Sequence, residues 1–381
     1  MVVDGQSVLD IPRLELKTLE EATNFALAYG FDLSEPTTVD LVWQFFDEAV
    51  AFIEKALGHP EYSRVPDHLR SRKAVTDIRR LLLIASEPPE HPDQRYGCGI
   101  LRVMHVLIHL AHDPRLKFFD QVHSQVFSRL DNYLYVDSET GVTYLGSQDD
   151  VEGRIKLLFF KKKDRKDRSR EIVKLLHKSD SLVEEIHDRI GFRLVTETKF
   201  DAVRAVKLLI MRNIVSVPNV RPGRSRNRLV PMKRVRFEID RIAAHLRKSG
   251  GDSPAPYIDK LIRRLERRIG FGRLDGLMNP HSSEHYRAIQ FTCREMVKVR
   301  NPLFAAYQIA CDQLANLHGG SQVLAEMFPR VPQPFDYTFF PFEIQIMDVK
   351  AYADSIFGKS NHEEYRRKQL EAARNRVFRE P

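Results

Sequence analysis

Residues 152–195 read EGRIKLLFFKKKDRKDRSREIVKLLHKSDSLVEEIHDRIGFRLV, and the fold class turns on how this stretch is parsed. It opens on a basic pair two residues apart, Arg154 and Lys156. A very basic segment follows, containing Lys161 and Lys162, and its pattern predicts helix, with Ile172–Leu176 and Leu182–Ile186 as apolar turns. It closes on the first core strand, RIGFRLVT at 189–196, with Asp188 at the entrance. Cations followed by a carboxylate at a strand end suit phosphate chemistry: the cations hold a polyphosphate and the carboxylate holds a metal ion. A helix over 201–211, DAVRAVKLLIM, comes next, and a strand followed by a helix begins an α/β or α+β domain.

Upstream, residues 1–147 read as a mainly helical unit. Thr18 and Glu21 form a capping box ahead of LEEATNFALAYGF, Gly30 stands where that helix would stop, and Pro36 starts a second helix. The unit ends in a predicted hairpin, DNYLYVDSETGVTYLG, turning near Glu139–Gly141. Downstream, residues 148–381 form the second unit. Residues 218–272 look like a basic insertion in it, RPGRSRNRLVPMKRVR and IDKLIRRLERRIG being separated by the break GGDSPAP. HYRAIQFTCREMVKV at 285–299 alternates as a strand, with Tyr286, Ala288 and Gln290 on one face. The helix NPLFAAYQIACDQLANL follows. In the strand TFFPFEIQIMDV, Phe342, Ile344 and Ile346 would enter the core, leaving Glu343 and Gln345 together on the other face.

Composition narrows the class. A chain of 381 residues, 43% hydrophobic, can bury a large core in two domains. Sixty Lys and Arg against 52 Asp and Glu give +8, which favours anionic partners such as nucleotides or RNA. Cys98, Cys293 and Cys311 are scattered and odd in number, which argues against a disulfide framework and for a reducing compartment. The N-terminus lacks the apolar core of a signal peptide, and no run approaches the roughly 20 apolar residues of a membrane span. The expectation is a cytoplasmic protein with no membrane association. On CGILRVMHVLIHLAHD, His105, His109 and His112 share one helical face before Asp113. Two histidines one turn apart can ligate a metal, but no HExxH glutamate accompanies them, and histidines on an apolar helix more often pack and hydrogen-bond.

One constellation gathers the remaining signals. Asp188 and Glu343, a carboxylate on each of two strands, would grip Mg²⁺ beside a triphosphate, while Arg154 and Lys156 position the rest. Tyr286 would stack a nucleobase, with Gln290 further along the same face.

In five ordered blocks the chain resembles the RelA/SpoT synthetase family. GRIKLLFFKKK resembles its G-R-x-K block with the basic run after it. EIHDRIGFRLV resembles its D-x-x-G-x-R-x-V strand through Asp188 and Arg193. HSSEHYRAIQF resembles its N-G-Y-x-S-x-H block through Tyr286. FEIQI resembles its E-x-Q-I block through Glu343 and Gln345, and NHEEYRRK its closing H-x-x-Y-K element through His362, Tyr365 and Arg366. The resemblance implies an α+β fold with a mixed-sheet nucleotidyltransferase-like domain flanked by helices. The implied activity is transfer of pyrophosphate from ATP to a ribose hydroxyl of GDP or GTP, as in guanosine tetraphosphate synthesis, with Mg²⁺ on Asp188 and Glu343. Arg154, Lys156, Lys161, Lys162, Arg193, Tyr286, Gln290, Gln345, His362, Tyr365 and Arg366 would bind nucleotide. The chain departs from the pattern on the acceptor side: Glu284-His285 replaces Asn-Gly, Gln290 replaces the following His, and Met347 the arginine after E-x-Q-I. Two other readings share these residues: the same transfer to an RNA or tRNA 3′ end through the basic insertion, and a degenerate nucleotide sensor or scaffold.

Overall fold

A computed structural model describes residues 8–58, 64–163, 167–177, 188–248, 255–270, 286–357 and 362–378. Counting helices of eight residues or more, the first unit contains α1 (Leu19–Tyr29), α2 (Pro36–Ala56), α3 (Gln94–Ala111) and α4 (Phe119–Asp131). Local chemistry sets their ends. The Thr18–Glu21 capping box is formed on both sides, and Gly30 stops α1 at φ +109°, a left-handed cap that a Cβ would strain. Pro36 occupies the first turn of α2, where its missing N–H leaves no bond unmade.

Seven strands form one mixed sheet: β1 (Leu134–Val136), β2 (Thr143–Leu145), β3 (Ile155–Lys163), β4 (Ile190–Thr196), β5 (Arg226–Asn227), β6 (Ile289–Arg300) and β7 (Phe335–Asp348). The order is β1-β2-β3-β4-β7-β6-β5, and only β4 and β7 run parallel. The remaining helices are α5 (Arg168–His177), α6 (Lys199–Met211), α7 (Met232–Lys248), α8 (Ala255–Arg268), α9 (Pro302–Leu314), α10 (Gly320–Met327), α11 (Val349–Phe357) and α12 (His362–Phe378). The protein is therefore α+β. Among the described residues no helix is long and apolar enough to cross a membrane.

The stretch that opened the sequence reading parses differently at its start. IKLLFFKKK is a nine-residue strand, not the beginning of a helix, and the helix α5 starts only at Arg168. Paired Leu and Phe residues blur the two-residue alternation, and the strand carries a bulge between Leu157 and Phe159 that shifts its register against β4. The second predicted helical turn, 182–186, lies outside the described residues.

Two hydrophobic cores result, and each draws on both sides of residue 147. The sheet core takes Phe119, Val122, Val126, Phe127 and Leu130 of α4 together with Phe192, Leu194, Ile344 and Ile346. The helical core takes α2 and α3, then Ile172, Leu175 and Leu176 of α5 and Ala373, Val377 and Phe378 of α12. A buried charge cluster ties α3, α5 and the sheet. Arg189, at the threshold of β4, pairs with Asp113 just after α3 and with Glu171 of α5, the latter at 2.9 Å. Asp113 also holds Arg115 at 2.7 Å.

Between β6 and β7 the chain leaves the sheet as a pair of helices, α9 and α10, which pack chiefly against each other. Arg300 and Phe335 are register partners at the neck, and Asn301 N–H donates to Pro334 O at 3.1 Å.

Candidate functional site

Strand register places the site. Lys161 pairs with Arg193, Arg193 with Gln345, Gln345 with Gln290, and Gln290 with Arg226. Register partners share a face, so five polar side chains form a row across five strands, over a sheet whose alternate residues are buried and apolar. The next row, two residues along each strand, runs Lys163, Gly191, Glu343 and Thr292.

Glu343, in the second row, reaches into the first. It is buried. Its Oε1 accepts from Gln290 Nε2 at 2.5 Å, and its Oε2 from Gln345 Nε2 at 2.8 Å and from the Lys163 ammonium. Arg193 donates in turn to Gln345 Oε1, at 2.9 Å from its terminal nitrogen. Burial works against the Lys163 charge, yet the carboxylates of Glu343 and Asp188 outweigh it and the ammonium is held above its usual value. Both predicted acids therefore act on one cation. Asp188 is additionally paired with Lys174 of α5 at 2.5 Å. Tyr286 reaches the same cluster: burial pushes its phenol up, Glu343 adds to that, and Arg193 opposes it.

Backbone contact limits the distance between β4 and β7. A Cβ on Gly191 would lie 2.3 Å from Glu343 O, closer than any side chain tolerates. Glycine here leaves room for the β7 backbone beside β4, in the row that carries Lys163 and Glu343.

Other predicted residues go elsewhere. Lys162 faces away, paired with Asp131 of α4 at 2.6 Å and lying over the Phe127 ring. Arg154 stacks on Tyr144, its guanidinium 4.2 Å from the ring centre, and donates to Tyr135 Oη. Lys156 is in register with Tyr144, at the far end of β3 from Lys163; seven residues of strand put them roughly 20 Å apart. Arg154 and Lys156 are thus not gathered with Asp188 and Glu343. Arg366 is exposed on α12, which packs against α5 and α3. The side chains of His362 and Tyr365 lie outside the described residues. The three histidines make packing contacts: His105 Nδ1 meets Tyr29 Oη at 2.6 Å, the His105 and His109 rings are 4.3 Å apart, and His112 bonds Ile108 O. An apolar cavity of about 140 Å³, lined by Phe25, Tyr29, Leu82, Leu101 and His105, lies beside them and apart from the polar rows.

The sequence reading missed Lys163 and Lys174. Parity along KKK was the available signal for Lys163, since Lys161 and Lys163 must share the face that Lys162 does not. Lys174 offered none, because its role depends on how α5 docks.

As a donor set, Asp188 and Glu343 supply the hard oxygen ligands that Mg²⁺ takes, with water and phosphate oxygens expected to complete its shell. Glu343 already bonds one cation, the Lys163 ammonium, and the Asp188 charge acts on it as well. Among the described residues no group of three or more His, Cys, Asp or Glu is placed to hold a metal.

No protein-family model matches this chain, and no curated protein matches it.

Proposed function

We propose that this chain is a RelA/SpoT-like nucleotidyltransferase-fold enzyme that moves pyrophosphate from ATP to a ribose hydroxyl of a guanine nucleotide. The observation that carries the reading is the pair of polar rows that meet at Glu343, whose carboxylate bonds Lys163 while the charge of Asp188, two residues ahead of β4, acts on the same lysine. Mg²⁺ would be held by Asp188 and Glu343 and would neutralise charge on the transferring group. Lys163 releases Glu343 when polyphosphate offers the ammonium a stronger anionic partner. Glu343, still oriented by Gln290 and Gln345, would then accept the proton of the attacking hydroxyl on the carboxylate oxygen that the metal leaves open. The new bond forms from that oxygen to the β-phosphorus, the bond from the β-phosphorus to the α,β-bridging oxygen breaks, and AMP departs. Tyr286 supplies a ring face for the acceptor base, and Arg193 binds phosphate near it.

The exposed basic faces of α7 and α8, with Lys233, Arg234, Arg236, Arg263, Arg264 and Arg267 open to solvent, favour RNA as a second acceptor. Its binding should weaken steeply with salt as counterions are released.

The test uses ATP labelled at the β- or γ-phosphate, offered with Mg²⁺ and separately GDP, GTP or tRNA. Label should pass to one acceptor as pyrophosphate with equimolar AMP, and Asp188→Asn and Glu343→Gln should each lose at least ~100-fold in rate while melting cooperatively. No transfer to any acceptor, or wild-type rates in both variants, would sink the proposal. Retained nucleotide binding without turnover would turn attention to a sensor.

A further inference from the structure

Just beyond β5, at the sheet edge, stands an arginine to which no described residue supplies a counter-charge. Arg228, two residues beyond Arg226, is 6% exposed. Its backbone is fixed: the N–H donates to Ala288 O at 3.0 Å, and Val230 N–H closes the following turn on Asn227 Oδ1 at 2.9 Å. Its guanidinium is not satisfied, because buried Nε and one terminal nitrogen have no hydrogen-bond partner. Two other buried guanidiniums have acids or carbonyls: Arg189 has Asp113 and Glu171, with one terminal nitrogen left over, and Arg102 donates to the carbonyls of Val377 and Ile11. Among the described residues, the charged side chains acting on Arg228 are arginines. Burial, and then Arg226 and Arg287, pull it below the usual guanidinium value, with only the Tyr286 phenol acting the other way.

Buried charges are paired because desolvating a lone ion is costly, and an unsatisfied guanidinium presents a fork matched to phosphate oxygens. We infer that Arg228, with Arg226 beside it, forms a binding site for a phosphate-class dianion at the β5–β6 edge, next to Tyr286. Arg226 is the register partner of Gln290, so the anion would sit at one end of the polar row and outside the two acids. This site stands apart from the transferase reading, since it requires no turnover, ATP or metal.

Thermal melts and calorimetric titrations of the full chain, without ATP or Mg²⁺, test it. Inorganic phosphate and pyrophosphate are compared with KCl at matched ionic strength, which removes general screening. Pyrophosphate at millimolar concentration should raise the wild-type melting temperature by about 2–5 °C. Arg228→Met should lose at least ~10-fold in pyrophosphate affinity, yet melt at or above the wild-type temperature without ligand, because it removes an unpaired buried charge. Arg228→Lys should keep part of the affinity and guards against a folding artefact in the first variant. ADP and GDP identify the source: binding at least ~10-fold tighter than pyrophosphate, lost with Tyr286→Ala, assigns the anion to a nucleotide, and equal binding assigns it to free phosphate. A wild-type protein indifferent to phosphate and pyrophosphate, or an Arg228→Met variant that binds them equally well, overturns the site.

Discussion

Lys162 and Lys163 are adjacent and chemically identical, and the strand sends them to opposite fates. Lys162 pairs with Asp131 beside a helix; Lys163 bonds Glu343, with the Asp188 charge acting on it too. Charge density along 161–170 marks the region as phosphate-directed but cannot say which cation matters, because that depends on parity after a bulge that the sequence does not announce. Glu343 and Gln345 were easier to read, since EIQI alternates cleanly and both land together, 2.8 Å apart. His105 yields a prediction at this scale. Burial, followed by the charge of His109, pulls it from the usual 6.5 to about 4. Between those values the unfolded chain binds a proton that the folded one refuses, so stability rises with pH there and is lost on acidification. Urea unfolding at pH 7 and pH 5 should show the loss, on the order of 1–3 kcal/mol, and His105→Gln should remove most of the difference.

At the scale of elements, the pairing of β4 with β7 decides the site. Both strands were legible in advance, as RIGFRLVT and TFFPFEIQIMDV; that they lie side by side and parallel was not, because more than a hundred residues separate them and no local signal records the pairing. The same separation hid the place of β5, two residues long inside what reads as a solvated basic insertion. Gly191 is where the pairing can be probed. Gly191→Ala puts a methyl 2.3 Å from Glu343 O, so the strands must separate. Expected losses are about 2–4 kcal/mol of stability together with the loss of transfer, measured by urea unfolding and the label assay. An Ala variant of wild-type stability would mean that the strands do not approach this closely.

For the molecule as a whole, the predicted boundary near residue 147 described composition better than packing. The cores exchange segments: α4 lies on the sheet while α5 and α12 return to the helices. Amphipathic helices advertise that they have a buried face and not which partner buries it, so this exchange was invisible in the sequence. Arg189 sits where the two cores meet, one residue after Asp188. Arg189→Met should cost about 3–5 kcal/mol by leaving Asp113 and Glu171 buried against a lost charge. Adding Glu171→Leu should recover a large part of that, since Asp113 keeps Arg115. Denaturant melts of the single and double variants check both statements, and equal instability in the two would refute the ion-pair explanation.

The helices α9 and α10 carry a consequence of another kind. Arg300 and Phe335 already face each other across the β6–β7 ladder, and the chain is laced at that point by the bond from Asn301 to Pro334. In topological terms the excursion between them is a detour: the path leaves the sheet and re-enters beside its own exit, so the ladder would close as an ordinary hairpin without it. A segment joined in that way can be lengthened, shortened or exchanged while the strands beneath keep their registration. The neck at 300–335 is therefore a port at which the chain can acquire or shed a module without disturbing Glu343, which lies well inside the same strand.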